Sequence, residues 1–64
     1  MSFLSCRKGA GITQAQAAKA LGVTDAAVSQ WETGVYMPSA KRLVEIAALY
    51  GCTVDDLLKE EHNA

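Results

Sequence analysis

The residues of this 64-residue chain that can do chemistry point away from catalysis. Its one histidine, His62, lies in a polar tail, and Cys6 and Cys52 form no C-x-x-C pair. No nucleophile, base and acid can be assembled from these, and no metal or cofactor is expected. What remains is hydrogen-bonding chemistry gathered on one short segment. If Ala27, Val28 and Trp31 face inward at helical spacing, then Thr24, Asp25, Ala26, Ser29 and Gln30 are left on the outer side. The Gln30 amide donates and accepts together, which suits adenine N6 and N7, while the hydroxyls of Thr24 and Ser29 bond to either bases or phosphates. The Ala26 methyl matches the methyl of thymine. Asp25 repels phosphate; it either accepts from cytosine N4 or simply stabilises the start of its own helix. Read this way, the segment suits base edges in a DNA major groove; the plain alternative is a solvated helix face.

Such side chains need a rigid element to carry them, and the sequence from Gln14 to Pro38 lays one out. Thr13 is placed to cap a first helix, with Gln16 reaching back in a capping box, and Ala17, Ala18 and Leu21 recur at helical spacing. Gly22 ends that helix in a left-handed turn, Val23 plugs the angle, and Thr24 caps the next helix. Gly34 closes the second helix and Pro38 forbids its continuation. The motif, about residues 13–34, is a helix-turn-helix. Three further helices are expected around it. One runs from about Ser2 to Gly9, followed by a loop at Gly9-Ala10-Gly11. Another follows the Ser39 cap, with Leu43, Val44, Ile46, Ala47 and Tyr50 as its buried stripe and Gly51 as its stop. The last follows Thr53, with Asp55 and Asp56 in its first turn and Leu57 and Leu58 at its end. The expectation is an all-α, five-helix fold in a single domain over residues 1–64, with a short acidic tail at 59–64.

The stretches ITQAQAAKALGVT and VSQWETG, the pair Pro38-Ser39 and the closing LYGCTVDDLL together resemble the lambda-repressor-like domains, the Cro and repressor type also called XRE. The resemblance runs from about Phe3 to Leu58 and implies a sequence-specific transcriptional regulator, repressor-like, of bacterial or phage origin. It also implies residue roles. Gln14, and Ser39 with Lys41, match the positions that clamp the DNA backbone on either side of the groove, where helix N-termini hold phosphate; Lys19 and Arg42 are secondary candidates. Arg7 and Glu32 stand where the family forms an ion pair between the first helix and the recognition helix, although Arg7 has a phosphate as its alternative partner. Cys52 takes the family's apolar position before the last cap, and Cys6 follows Phe3 at helical spacing, so both are read as reduced core residues. Trp31 is likewise read as core rather than as a base-stacking aromatic. The loop Val35-Tyr36-Met37 departs from the pattern, because relatives commonly place lysine or arginine there. Those three apolar side chains suggest either a contact with another chain, in which Leu57 and Leu58 would join, or a local cover over the core; the natural contact is a homodimer on a palindromic operator with half-sites about 34–36 Å apart.

Composition agrees with a small binding domain. The chain has too little core for an ordinary enzyme's pocket, its charges interrupt every apolar run, and nothing at its start reads as a signal peptide, so a cytoplasmic, non-enzymatic protein away from membranes is expected. The formal net charge is −1, but its distribution is uneven. Residues 1–44 carry five cations against Asp25 and Glu32, a balance of +3. Residues 45–64 carry Lys59 against five acids, a balance of −4. The basic portion is the one the motif would set against phosphate. A second reading, an antitoxin-like or coactivator-like protein-interaction module with secondary DNA binding, draws on the acidic tail and the apolar loop. Enrichment, or none, of a palindrome from random DNA separates the two.

Overall fold

The computed structural model describes residues 2–59, in five helices: α1 (Phe3–Gly9), α2 (Gln14–Leu21), α3 (Asp25–Thr33), α4 (Ala40–Tyr50) and α5 (Val54–Leu58). Residues 60–64 of the acidic tail, His62 among them, lie outside the described residues. Each helix starts on a hydroxyl. Ser2, Thr13, Thr24, Ser39 and Thr53 all take extended backbone and accept from the N–H three residues on, which satisfies one of the donors a helix start leaves unpaired. At Thr13 and Thr53 the bond is reciprocated, by Gln16 and Asp56, in capping boxes. The Asp56 carboxyl is held below its ordinary range, chiefly by the Thr53 N–H it accepts.

The stops are equally local. Gly22 lies in the left-handed region at φ 71°, and the following Val23 N–H reaches back to Ala18 O at 3.0 Å, the closure of a Schellman motif. Val23 then turns in and packs against the core, which sets the angle between α2 and α3. The same closure recurs after α3, where Val35 N–H bonds Gln30 O at 3.0 Å beyond Gly34.

All five helices contribute to one core: Phe3 and Cys6 from α1, Ala17 and Ala18 from α2, Val28 and Trp31 from α3, Ile46, Ala47 and Tyr50 from α4, and Leu57 from α5. The paired alanines of α2 let α3 approach closely, and Phe3 meets Trp31 with ring centroids 6.5 Å apart and tilted planes. Two sequence expectations are corrected. Val44 is 63% exposed and lies outside the buried stripe of α4, which runs through Leu43, Ile46, Ala47 and Tyr50. A residue advances about 100° around a helix, and that step carries Val44 away from the core toward exposed Ala40, Lys41 and Ala48. Leu57 is only 2% exposed, so it is a core residue and unavailable as a contact for a second chain; Leu58, the next residue, points outward.

Candidate nucleic-acid interface

The outer side of α3 is built by the burial of its inner one. Val28 and Trp31 are sunk in the core, which leaves Asp25 and Ala26, together with the capping Thr24, exposed, and Ser29 and Gln30 half-buried at the flank. Thr24 is committed in part, because its hydroxyl oxygen accepts from Ala27 N–H at 3.1 Å. Thr33 turns its hydroxyl back on its own helix, donating to Ser29 O at 3.1 Å. Among the described residues the side chains of Asp25, Ser29 and Gln30 make no hydrogen bond, so their donors and acceptors are free for a ligand.

The orientation of α3 is held from behind by three side chains. Arg7 Nε donates to Glu32 Oε2 at 2.6 Å, and Arg7 Nη1 donates to Ile12 O at 2.9 Å. The pair is largely out of water, its side chains 12% and 6% exposed. The bond to Glu32, opposed by desolvation, raises the Arg7 pKa above its ordinary value, so the guanidinium stays charged. Gln14 completes the group: its amide nitrogen donates to Glu32 Oε1 at 2.8 Å. Burial, reinforced by Glu32 nearby, pushes the Tyr50 phenol up to about 12.

The cations divide by what they touch. Lys41, one residue into α4, and Lys19, on α2, are exposed and make no hydrogen bond or ion pair among the described residues. Ser39 caps α4 by accepting from Arg42 N–H at 3.2 Å. Arg42 is committed elsewhere: its Nη1 donates to Leu21 O at 2.8 Å and to Glu45 at 3.0 Å. It thereby places positive charge on a free carbonyl at the C-terminal end of α2 and ties α4 to the motif's turn.

Beyond the C-terminus of α3 the chain presents Val35, Tyr36 and Met37, each more than 60% exposed. Met37 borders a shallow cleft of about 250 Å³ whose other walls include Phe3, Trp31, Leu57 and Leu58. Cys6 and Cys52 are free and neighbour each other, and burial together with the Cys6 thiol pushes the Cys52 thiol up to about 11.

Three of these arrangements are absent from the sequence reading. The bond from Gln14 to Glu32 joins residues that no periodicity relates, and Arg42 reaches a carbonyl, which sequence does not display. The cysteine contact had one signal, two core-type positions, one on α1 and one in the turn before α5. The structure brings Arg7, Glu32 and Gln14 together and sets Lys19 and Lys41 apart from them.

The sequence that folds into these two helices across a glycine turn is similar to that of known proteins. The family described as helix-turn-helix matches residues 4–57. The chain belongs to that helix-turn-helix family. Among curated helix-turn-helix proteins it is 38% identical over 55 residues to the HTH-type transcriptional activator BcrR of Enterococcus faecalis, covering 86% of this chain and 27% of that protein. It is also 38% identical over 58 residues to the uncharacterized HTH-type transcriptional regulator YqaE of Bacillus subtilis strain 168, covering 91% of this chain and 50% of that one. This helix-turn-helix chain thus spans from about a quarter to half the length of these relatives. No solved structure matches.

Proposed function

We propose that this helix-turn-helix chain acts as a sequence-specific DNA-binding transcriptional regulator, inserting α3 into the major groove and setting the N-termini of α2 and α4 against the flanking phosphates. The observation that carries the reading is the outer side of α3: free amide, hydroxyl and carboxylate groups on a helix locked from behind by a desolvated ion pair. Both named relatives are described as transcriptional regulators, which supports it. Lys19 and Lys41, free of partners among the described residues, supply sequence-independent attraction to phosphate. Gln14 adds a directional contact, since its amide nitrogen carries a second hydrogen beyond the one bound by Glu32. Ser39 serves the α4 cap and offers its N-terminal N–H groups. Arg42, engaged with Leu21 O and Glu45, drops to a structural part. The site of action is where the DNA lies, in the cytoplasm of a bacterial or phage-infected cell. No helix among the described residues is long and apolar enough to cross a membrane.

A homodimer on a palindrome completes the proposal, with Val35, Tyr36, Met37 and Leu58 as its contact. Selection of bound duplexes from a random pool at stated low salt tests the whole. Enrichment of a sequence with two inverted half-sites is expected; no enriched sequence removes the regulator reading. Sedimentation of the wild type and of Tyr36→Lys tests the contact. The variant should lose self-association and cooperative binding while keeping the base preference of one half-site, and a wild-type monomer both free and on a full palindrome refutes the dimer.

A further inference from the structure

The recognition helix carries no cation. Asp25–Thr33 contains aspartate, glutamate, serine, glutamine and threonine but neither lysine nor arginine. The commonest specific contact to guanine, a bidentate bond from arginine or lysine to O6 and N7, therefore has no donor on this helix. The structure narrows the set further, because the Thr33 hydroxyl donates to its own backbone and the Thr24 hydroxyl, which accepts in its cap, keeps its donor mainly for a phosphate or base at the helix start. What remains is the Gln30 amide, the exposed Ala26 methyl, the Ser29 hydroxyl and the Asp25 carboxylate. Ala26 and Gln30 are four residues apart, hence neighbours on one line of the helix surface, placed to meet neighbouring base pairs. Asp25, one position before Ala26, sets a carboxylate at the leading end of the helix, which the O6 and N7 acceptors of guanine repel and an exocyclic amine of cytosine or adenine satisfies.

From this we infer that Gln30 and Ala26 of α3 read adenine–thymine pairs: Gln30 bonds adenine N6 and N7, the Ala26 methyl packs against the C5-methyl of thymine in an adjoining pair, and Asp25 disfavours guanine on the strand it faces. The inference rests on the DNA reading above and specifies which DNA. In it the sequence-independent attraction comes from Lys19 and Lys41 and the discrimination from groups that carry no positive charge.

Base analogues in the selected duplex test this without altering the fold. Uracil in place of the contacted thymine removes only a methyl and should weaken binding about fourfold per half-site, the equivalent of about 0.8 kcal/mol. Replacing the contacted adenine by 7-deazaadenine removes N7 and should weaken wild-type binding at least about fivefold, with no further loss in Gln30→Ala. Selected half-sites led by guanine, or equal affinity for thymine and uracil at every position, overturn this inference and leave the DNA reading standing. Binding with no sequence preference at all overturns the DNA reading itself.

Discussion

Glu32 accepts from two side chains at once, an arginine of α1 and a glutamine of α2, while its own backbone belongs to α3. With a side chain only 6% exposed it is the point where three helices are fixed by charge rather than by apolar contact. Its removal leaves the Arg7 guanidinium desolvated with only Ile12 O as hydrogen-bond partner among the described residues. We expect Glu32→Ala to cost about 3–5 kcal/mol, the usual penalty for stranding one member of a buried pair. Urea denaturation followed by Trp31 fluorescence measures it, and a loss below about 1 kcal/mol would show that water reaches the pair. Gln14→Ala, by the same reading, leaves Glu32 its arginine and should cost far less, about 0.5–1.5 kcal/mol for one hydrogen bond.

Among the elements, starts and stops were readable because each is a local device. A hydroxyl three residues before an N–H, or a glycine where φ must be positive, needs nothing from elsewhere in the chain, and the caps at Thr13, Thr24, Ser39 and Thr53 and the stops at Gly22, Gly34 and Gly51 were legible, whereas Ser2, read as the first residue of α1, is its cap. Which of two adjacent apolar residues faces the core was not legible for Val44 beside Leu43, nor for Leu57 beside Leu58, because the packing of neighbouring helices settles it. The partners of Gln14 and Arg42 escaped for a related reason: they lie 18 and 21 residues away, respectively, beyond any pattern of spacing. Gly34 gives an element-scale test. It sits at φ 81°, and a methyl added there would meet no atom within 4 Å, so the cost of Gly34→Ala is backbone strain alone, about 1–2 kcal/mol. Base preference should survive, since nothing on the outer side of α3 moves; an altered preference at the concentrations where the variant is folded would tie the stop to the reading surface.

At the scale of the whole molecule, two buried protons link stability to alkaline pH. The Tyr50 phenol is raised from 10.0 to about 12, mainly by burial. The Cys52 thiol is raised from 9.0 to about 11, also mainly by burial. A group that holds its proton more tightly when folded stabilises the fold fully below its unfolded pKa and stops doing so above its folded one. Stability should therefore be flat up to about pH 9 and fall as pH rises through 11 and then 12. Urea midpoints across that range check it, with Tyr50→Phe expected to remove the upper part of the decline. A wild-type midpoint that is constant to pH 12 would place both groups in water.

The hydroxyl starts and glycine stops also bear on time. A chain whose helices are delimited by near neighbours has short loops to close before contacts form, and helical folds of this kind assemble in microseconds to milliseconds. The link from Arg7 to Glu32 is different, joining residues 25 apart. Such a latch closes only after the rate-limiting step if that step consists of local helices and the α2–α3 turn. Stopped-flow measurement on Glu32→Ala should then show nearly all of its free-energy loss as faster unfolding, with the refolding rate close to wild type. The pair would thus govern the lifetime of the folded state, and with it how long α3 stays aligned for reading once the chain has left solution for the groove.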